Sequence, residues 1–136
     1  MSNINNNAVE YVSGPIITIT ANETMEFDLS KIDMTKTSMI FLTFCAGSSS
    51  GSLKLSINDT TLTPICSNSW STTSGILRIL PFLEGFCYSS TVISNDGGSG
   101  GSKTNTNIKW NDINKIALTG TSNIGATATL FIIKHG

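Results

Sequence analysis

The chain has 136 residues and near-balanced charge, 8 basic against 9 acidic side chains, with charged residues at 12% of the total, about half of the roughly 25% usual in globular proteins. Their place is taken by Ser, Thr and Asn, which together number 50, while Arg78 is the only arginine and His135 the only histidine. A balance this even excludes the basic footprint of a nucleic-acid or anionic-membrane binder, and a single histidine is thin material for acid–base catalysis.

In chain order, residues 1–8 (MSNINNNA) are polar and Asn-rich, and read as a flexible or attachment N-terminus ahead of one domain over residues 9–136. The start carries neither the basic nor the apolar part of a secretory signal, so a product made in the cytoplasm without a signal peptide is expected. No apolar run approaches the ~18–20 residues that cross a bilayer, so no membrane insertion is expected.

Val9–Val12 is a short strand, and Ile16–Thr20, entered by Gly14-Pro15, is a second. Thr24–Leu29 sends Met25, Phe27 and Leu29 to one face and Glu26 and Asp28 to the other. A single helical turn fits Leu29–Met34, with Ser30 as its cap. Met39–Cys45 is apolar on both faces, as a central buried strand or an oligomer seam would be. Ser48–Ser52 reads as a flexible loop.

Leu53–Asn58 alternates, with Leu53, Leu55 and Ile57 inward, and Asn58-Asp59-Thr60 turns tightly into Thr61–Ile65, where Pro64 marks an edge or a bulge. A polar loop over Ser67–Thr73 then leads to strands Ile76–Phe82 and Cys87–Ser94, joined through Glu84-Gly85. Phe86 and Tyr88 share the core face with Val92. Asn95–Thr106 (NDGGSGGSKTNT) reads as a long loop. Asn107–Asn111 is a strand with Ile108 and Trp110 inward, and Lys115–Gly120 and Ala126–Lys134 close the chain. About ten short strands between turn signals predict an all-β, antiparallel two-sheet sandwich of jelly-roll-like form.

Catalytic chemistry finds little to stand on. The Gly97–Gly101 run leads through Lys103-Thr104-Asn105-Thr106 into another strand and not into the helix that a phosphate cradle needs, so a hairpin loop accounts for it. Ser and Thr abound, but no G-x-S-x-G elbow occurs and His135 is next to last. Glu84, Asp96 and Asp112 are the carboxylates a glycosidase would have to pair, and turn chemistry explains them as well. Asp59 or Asp96 with neighbouring Asn, Ser and carbonyl oxygens lacks the clustering of a calcium loop. No catalytic residue, metal or cofactor is therefore expected.

Cys45, Cys66 and Cys87 form no ligand cluster, and each follows a hydrophobe, which fits buried free thiols. Neutral carbohydrate is the ligand class that suits this composition, because an aromatic platform and hydroxyl or amide groups hold it without strong charge. Trp70, set among Asn68 and Ser71 in a polar segment, is the candidate platform, with Asp96 as a further polar contact; capping one end of the sandwich is the structural explanation of the same tryptophan.

The C-terminal residues add a resemblance. Trp110-Asn111-Asp112-Ile113-Asn114-Lys115-Ile116-Ala117-Leu118-Thr119-Gly120, followed by Gly125-Ala126-Thr127-Ala128-Thr129-Leu130-Phe131-Ile132-Ile133-Lys134, resembles the closing hairpin of jelly-roll domains in tailed-phage and prophage tail, baseplate and head-appendage proteins. Leu53–Thr60 (LKLSINDT) is similar to their mid-chain strand. The chain departs from the pattern at Ile132, where those domains carry Gly. The resemblance implies a virion structural protein or receptor-binding domain. It implies association with itself, as a homo-oligomer such as a trimer, and with other virion proteins, and contact with a host-surface glycan. A free-standing lectin or carbohydrate-binding module is the alternative, and a small hydrolase a more remote one.

Overall fold

In the computed structural model, the residues described are 9–12, 24–67, 70–94 and 97–134. The strict alternation of Thr24–Asp28 and of Leu53–Ile57 becomes strand with one face wholly buried: Met25, Phe27, Leu53, Leu55 and Ile57 all lie in the core. Among the described residues there are eight strands: β1 (Val9–Val12), β2 (Thr24–Asp28), β3 (Thr37–Ile57), β4 (Thr60–Ser67), β5 (Trp70–Phe82), β6 (Gly85–Ser94), β7 (Gly97–Asn105) and β8 (Lys115–Lys134). Every pairing is antiparallel.

β3 and β8 are the frame. They pair with each other from Thr37–Lys134 to Ile57–Ile116, and each passes through both halves of the molecule. Around residues 39–48 of β3 the order is β1-β8-β3-β5-β6-β7, and around residues 52–57 it is β2-β8-β3-β4. The six-stranded and four-stranded halves close as a sandwich over one core, in which Ile40, Leu42, Phe44, Leu77, Ile79, Phe86, Leu130 and Ile132 from the larger half join Phe27, Leu55, Ile57, Ile116 and Leu118 from the smaller.

A bulge makes the fold-over work. Inward residues of β3 are even-numbered before the bend (Ile40, Leu42, Phe44) and odd-numbered after it (Leu53, Leu55, Ile57), whereas β8 keeps even numbers throughout. The register shifts by one residue between Ser48 and Gly51, and that extra residue restores an inward face on both sides of the bend.

Several sequence expectations change here. Ser48–Ser52 is not a loop but the middle of β3, and Lys115–Gly120 and Ala126–Lys134 are one strand. Continuous hydrogen bonding between two neighbouring strands carries polar residues through the bend that composition alone marks as loop. Asn95–Thr106 is likewise no loop over most of its length: Gly97–Asn105 is β7, paired along its length with β6. The backbone ladder asks nothing of the side chains, so glycine serves at a sheet edge despite its entropic cost. β5 starts at Trp70, earlier than Ile76, with Trp70 opposite Ser48.

The helical turn falls later than Leu29–Met34. The Ser30 N–H donates to the Asp28 carboxylate, and a 3₁₀ turn forms at Met34–Lys36 with Asp33 as its cap. Asn107–Asn111 is not a strand; a second 3₁₀ turn at Trp110–Asp112 replaces it. Trp110 is in the core nevertheless, only 6% exposed, with its indole N–H donating to the Met34 carbonyl at 3.1 Å. It fills the end of the sandwich where both 3₁₀ turns meet. The strand expected at Ile16–Thr20 and the N-terminal residues 1–8 lie outside the described residues.

Other expectations match. The β5–β6 hairpin turns at Leu83-Glu84 with Gly85 opening β6, Phe86 and Val92 are buried, and Tyr88 packs against the core beside Phe86. β4 is an edge strand with register shifts around Pro64. The Asn58-Asp59 turn has both residues at positive φ, 49° and 66°, the two-residue geometry that suits the twist of a hairpin.

Candidate functional site

Of the residues singled out as a ligand site, Asn68 and Asp96 lie outside the described residues. Trp70 and Ser71 are placed in backbone only, at the start of β5. Glu84 sits exposed in the β5–β6 turn and Asp112 exposed in the second 3₁₀ turn. Asp59 is engaged by the Lys115 ammonium at 2.6 Å, with Glu26 at 4.0 Å on its other side. That contact with Asp59 holds the Lys115 ammonium above its ordinary pKa. Among the described residues no cluster of His, Cys, Asp or Glu could hold a metal ion.

Two carboxylates are held below their ordinary pKa, and both are structural. The Ser30 hydroxyl and N–H hold Asp28 below its ordinary pKa, and the Thr35 hydroxyl does the same for Asp33. Both serve turns beside the first 3₁₀ element.

The distinctive surface is the outer face of the six-stranded half. Strand parity sends Met39, Phe41, Thr43 and Cys45 of β3 to this face, with Thr127, Thr129, Phe131 and Ile133 of β8 beside them. Met39–Cys45 is thus central in its sheet but buried on one face only. Cys45 is exposed and Cys87 half-buried, both as free thiols, which corrects the expectation of buried cysteines; each has outward parity on its strand. The Cys66 side chain lies outside the described residues.

Phe41 and Phe131, directly opposite in register, stack with centroids 4.6 Å apart and planes at 11°. Next to them Thr43, Cys45, Thr127 and Thr129, with Phe44 and Ala128, line an open depression of about 260 Å³. On the β5–β6 side of the same face Ile76 is 36% exposed, Leu80 38%, Phe82 45% and Ile93 61%, and Leu83 in the turn is 80% exposed.

The opposite outer face, on the four-stranded half, is polar. A depression of about 230 Å³ is lined by Lys54, Leu55, Ser56, Thr61 and Thr119, and the Thr24 and Thr119 hydroxyls hydrogen-bond to each other at 3.0 Å. No aromatic ring takes part.

Sequence reasoning missed Phe41 and Phe131 as a pair. Their signal was present in the both-face apolarity of Met39–Cys45 and of Ala126–Lys134, which marks an outward apolar set once one face is assigned to the core.

No protein-family model matches the sequence, and no curated protein does. Solved structures similar to it include arcelin-5, a lectin-like defense protein from Phaseolus vulgaris, at 5% identity and TM-score 0.48, covering 100% of this chain and 96% of that one. A Lotus tetragonolobus seed lectin is similar at 6% identity and TM-score 0.46, covering 100% and 97%. The C-terminal CBM6 of LamC from Zobellia galactanivorans is similar at 11% identity and TM-score 0.38, covering 93% and 99%. At these scores nothing is carried from them to the residues of this chain.

Proposed function

We propose that this chain is a non-catalytic carbohydrate-binding β-sandwich whose ligand lies on the outer face of the six-stranded half. The observation behind the reading is the stacked Phe41–Phe131 pair, set on an open sheet face beside the threonine-lined depression of about 260 Å³. Aromatic rings take the C–H face of a pyranose, and hydroxyl groups exchange hydrogen bonds with its edge without charge.

The test is titration calorimetry against a saccharide panel with wild type, Phe41→Ala, Thr43→Val and Trp70→Ala. Loss of tenfold or more in affinity for Phe41→Ala, with Trp70→Ala unchanged, supports the site. Loss confined to Trp70→Ala moves the site to the start of β5 and overturns the assignment.

A second reading is favoured by a separate observation, the exposure of Ile76, Leu80, Phe82, Leu83 and Ile93 on or beside that face. Large exposed apolar groups gathered on one surface mark protein contacts. On this reading the chain is a part of a virion, associating with copies of itself and with other virion proteins. Light scattering separates the two: a stable monomer at high concentration counts against the assembly reading and leaves carbohydrate binding intact.

A further inference from the structure

We infer that the saccharide bound on this face is acidic, with its carboxylate held by Arg78. The inference rests on the carbohydrate reading above and adds the ligand's charge class. Arg78 lies on β5, directly opposite Phe41 of β3 on one side and Ser89 of β6 on the other. Phe131, Phe41, Arg78, Ser89 and Ser102 therefore form one row across five strands, about 19 Å long at a strand spacing of about 4.8 Å.

The 4.6 Å separation of the stacked rings matches the strand spacing, so Phe131 covers one face of Phe41 and the other face turns toward β5 and Arg78. The guanidinium is exposed, and no ion pair engages it among the described residues. Along β3, β5, β6, β7 and β8 in this half, it is the one charged side chain with outward parity among the described residues. A chain with so few charges places its only arginine here, with an aromatic pair on one side and Ser89 on the other.

A guanidinium presents a planar fork that matches a carboxylate with two parallel hydrogen bonds. A neutral sugar leaves that fork with single hydroxyl acceptors, whereas a uronate-type sugar lying across the row offers the carboxylate together with apolar C–H groups for the outward edges of the Phe41–Phe131 stack. The pair is open to water, so its contribution is modest and falls with added salt.

The experiment compares an oligogalacturonate with its methyl ester and with the matched neutral oligosaccharide by calorimetry, at about 20 mM and about 500 mM NaCl. Wild type is expected to prefer the acid over the ester by about tenfold at low salt, with the preference shrinking at high salt. Arg78→Gln is expected to bind acid and ester alike, and Arg78→Lys to retain part of the preference. Circular dichroism of both variants verifies that the exposed substitution leaves the fold unchanged. Equal binding of acid and ester by wild type overturns the acidic assignment and leaves carbohydrate binding standing. Binding of neither, across the wider panel, overturns both.

Discussion

Replacing Asn58 by Ala tests how the β3–β4 turn is fastened to the start of β8. The Asn58 side-chain oxygen accepts from the N–H groups of Asn114 at 2.9 Å and Lys115 at 3.2 Å, and its amide donates to the Asp112 carbonyl at 2.7 Å. Each such bond contributes about 1 kcal/mol net, and because the site is partly exposed, water recovers roughly half of the sum. The backbone adds to the loss. At φ 49° alanine is worse placed than asparagine by about 1 kcal/mol. The expected destabilisation is about 2–3 kcal/mol, or a fall in Tm of about 6–12 °C for a chain of this size. Asn58→Gly, free of the backbone cost, is expected to lose about 1–2 kcal/mol. Asn58→Asp, which keeps both acceptor bonds, is expected to lose about 1 kcal/mol. Urea unfolding followed by tryptophan fluorescence measures the series. A loss below about 0.5 kcal/mol for Ala, or Asp more damaging than Ala, refutes the account of this turn.

Trp110→Phe keeps most of the buried ring but leaves the Met34 carbonyl without the indole donor; thermal melts are expected to show a loss of about 2–3 kcal/mol. In Gly85 a Cβ would overlap the Asn105 carbonyl oxygen, whereas at Gly101 a Cβ would meet nothing. Gly85→Ala is therefore expected to cost about 3 kcal/mol or more and Gly101→Ala to fall within about 0.5 kcal/mol of wild type in the same assay. Asp28 and Asp33, held below their ordinary pKa by turn donors, bind protons more readily unfolded than folded. Their contribution is complete above the ordinary carboxylate range and is lost as pH falls below about 4, so denaturation at stepped pH should show a shallower acid limb for Asp28→Asn with Asp33→Asn. Lys115, raised by Asp59, has the opposite sign: its contribution is complete below the ordinary lysine range and is lost as pH rises past about 10.5, and Lys115→Met should flatten that alkaline limb.

Much of the fold was legible because period-2 alternation survives wherever one face meets the core and the other meets water. Met25-Glu26-Phe27-Asp28 and Leu53-Lys54-Leu55-Ser56-Ile57 carry it without interruption, and their burial follows it residue by residue. The Asn58-Asp59 turn was legible from turn chemistry. Gly97–Asn105 and Ser48–Ser52 were not, because their strand character resides in hydrogen bonding to β6 and β8, which leaves no trace in side-chain composition. Trp110 was assigned to the core for an incorrect local reason: a 3₁₀ turn, not strand parity, carries it there. The Phe41–Phe131 pair was hidden by its neighbours. When a strand is apolar on both faces, sequence cannot say which set points inward until the partner strands are known.

β3 and β8 supply an internal comparison that bears on where contact occurs. Each strand contributes to both outer faces of the sandwich. In the four-stranded half their outward residues include Lys54, Ser56, Lys115 and Thr119, the ordinary polar set of a sheet that faces water. In the six-stranded half the same two strands turn Met39, Phe41, Phe131 and Ile133 outward, and β5 and β6 extend that apolar set with Ile76, Leu80, Phe82 and Ile93. General β-propensity favours apolar and aromatic residues equally in both halves, so it does not produce the difference. Nor does core packing, since the inward residues of both halves already form one continuous core. What remains to distinguish the two faces is what they meet, and it is on this ground that the proposed ligand is placed on the face carrying the stacked rings and Arg78.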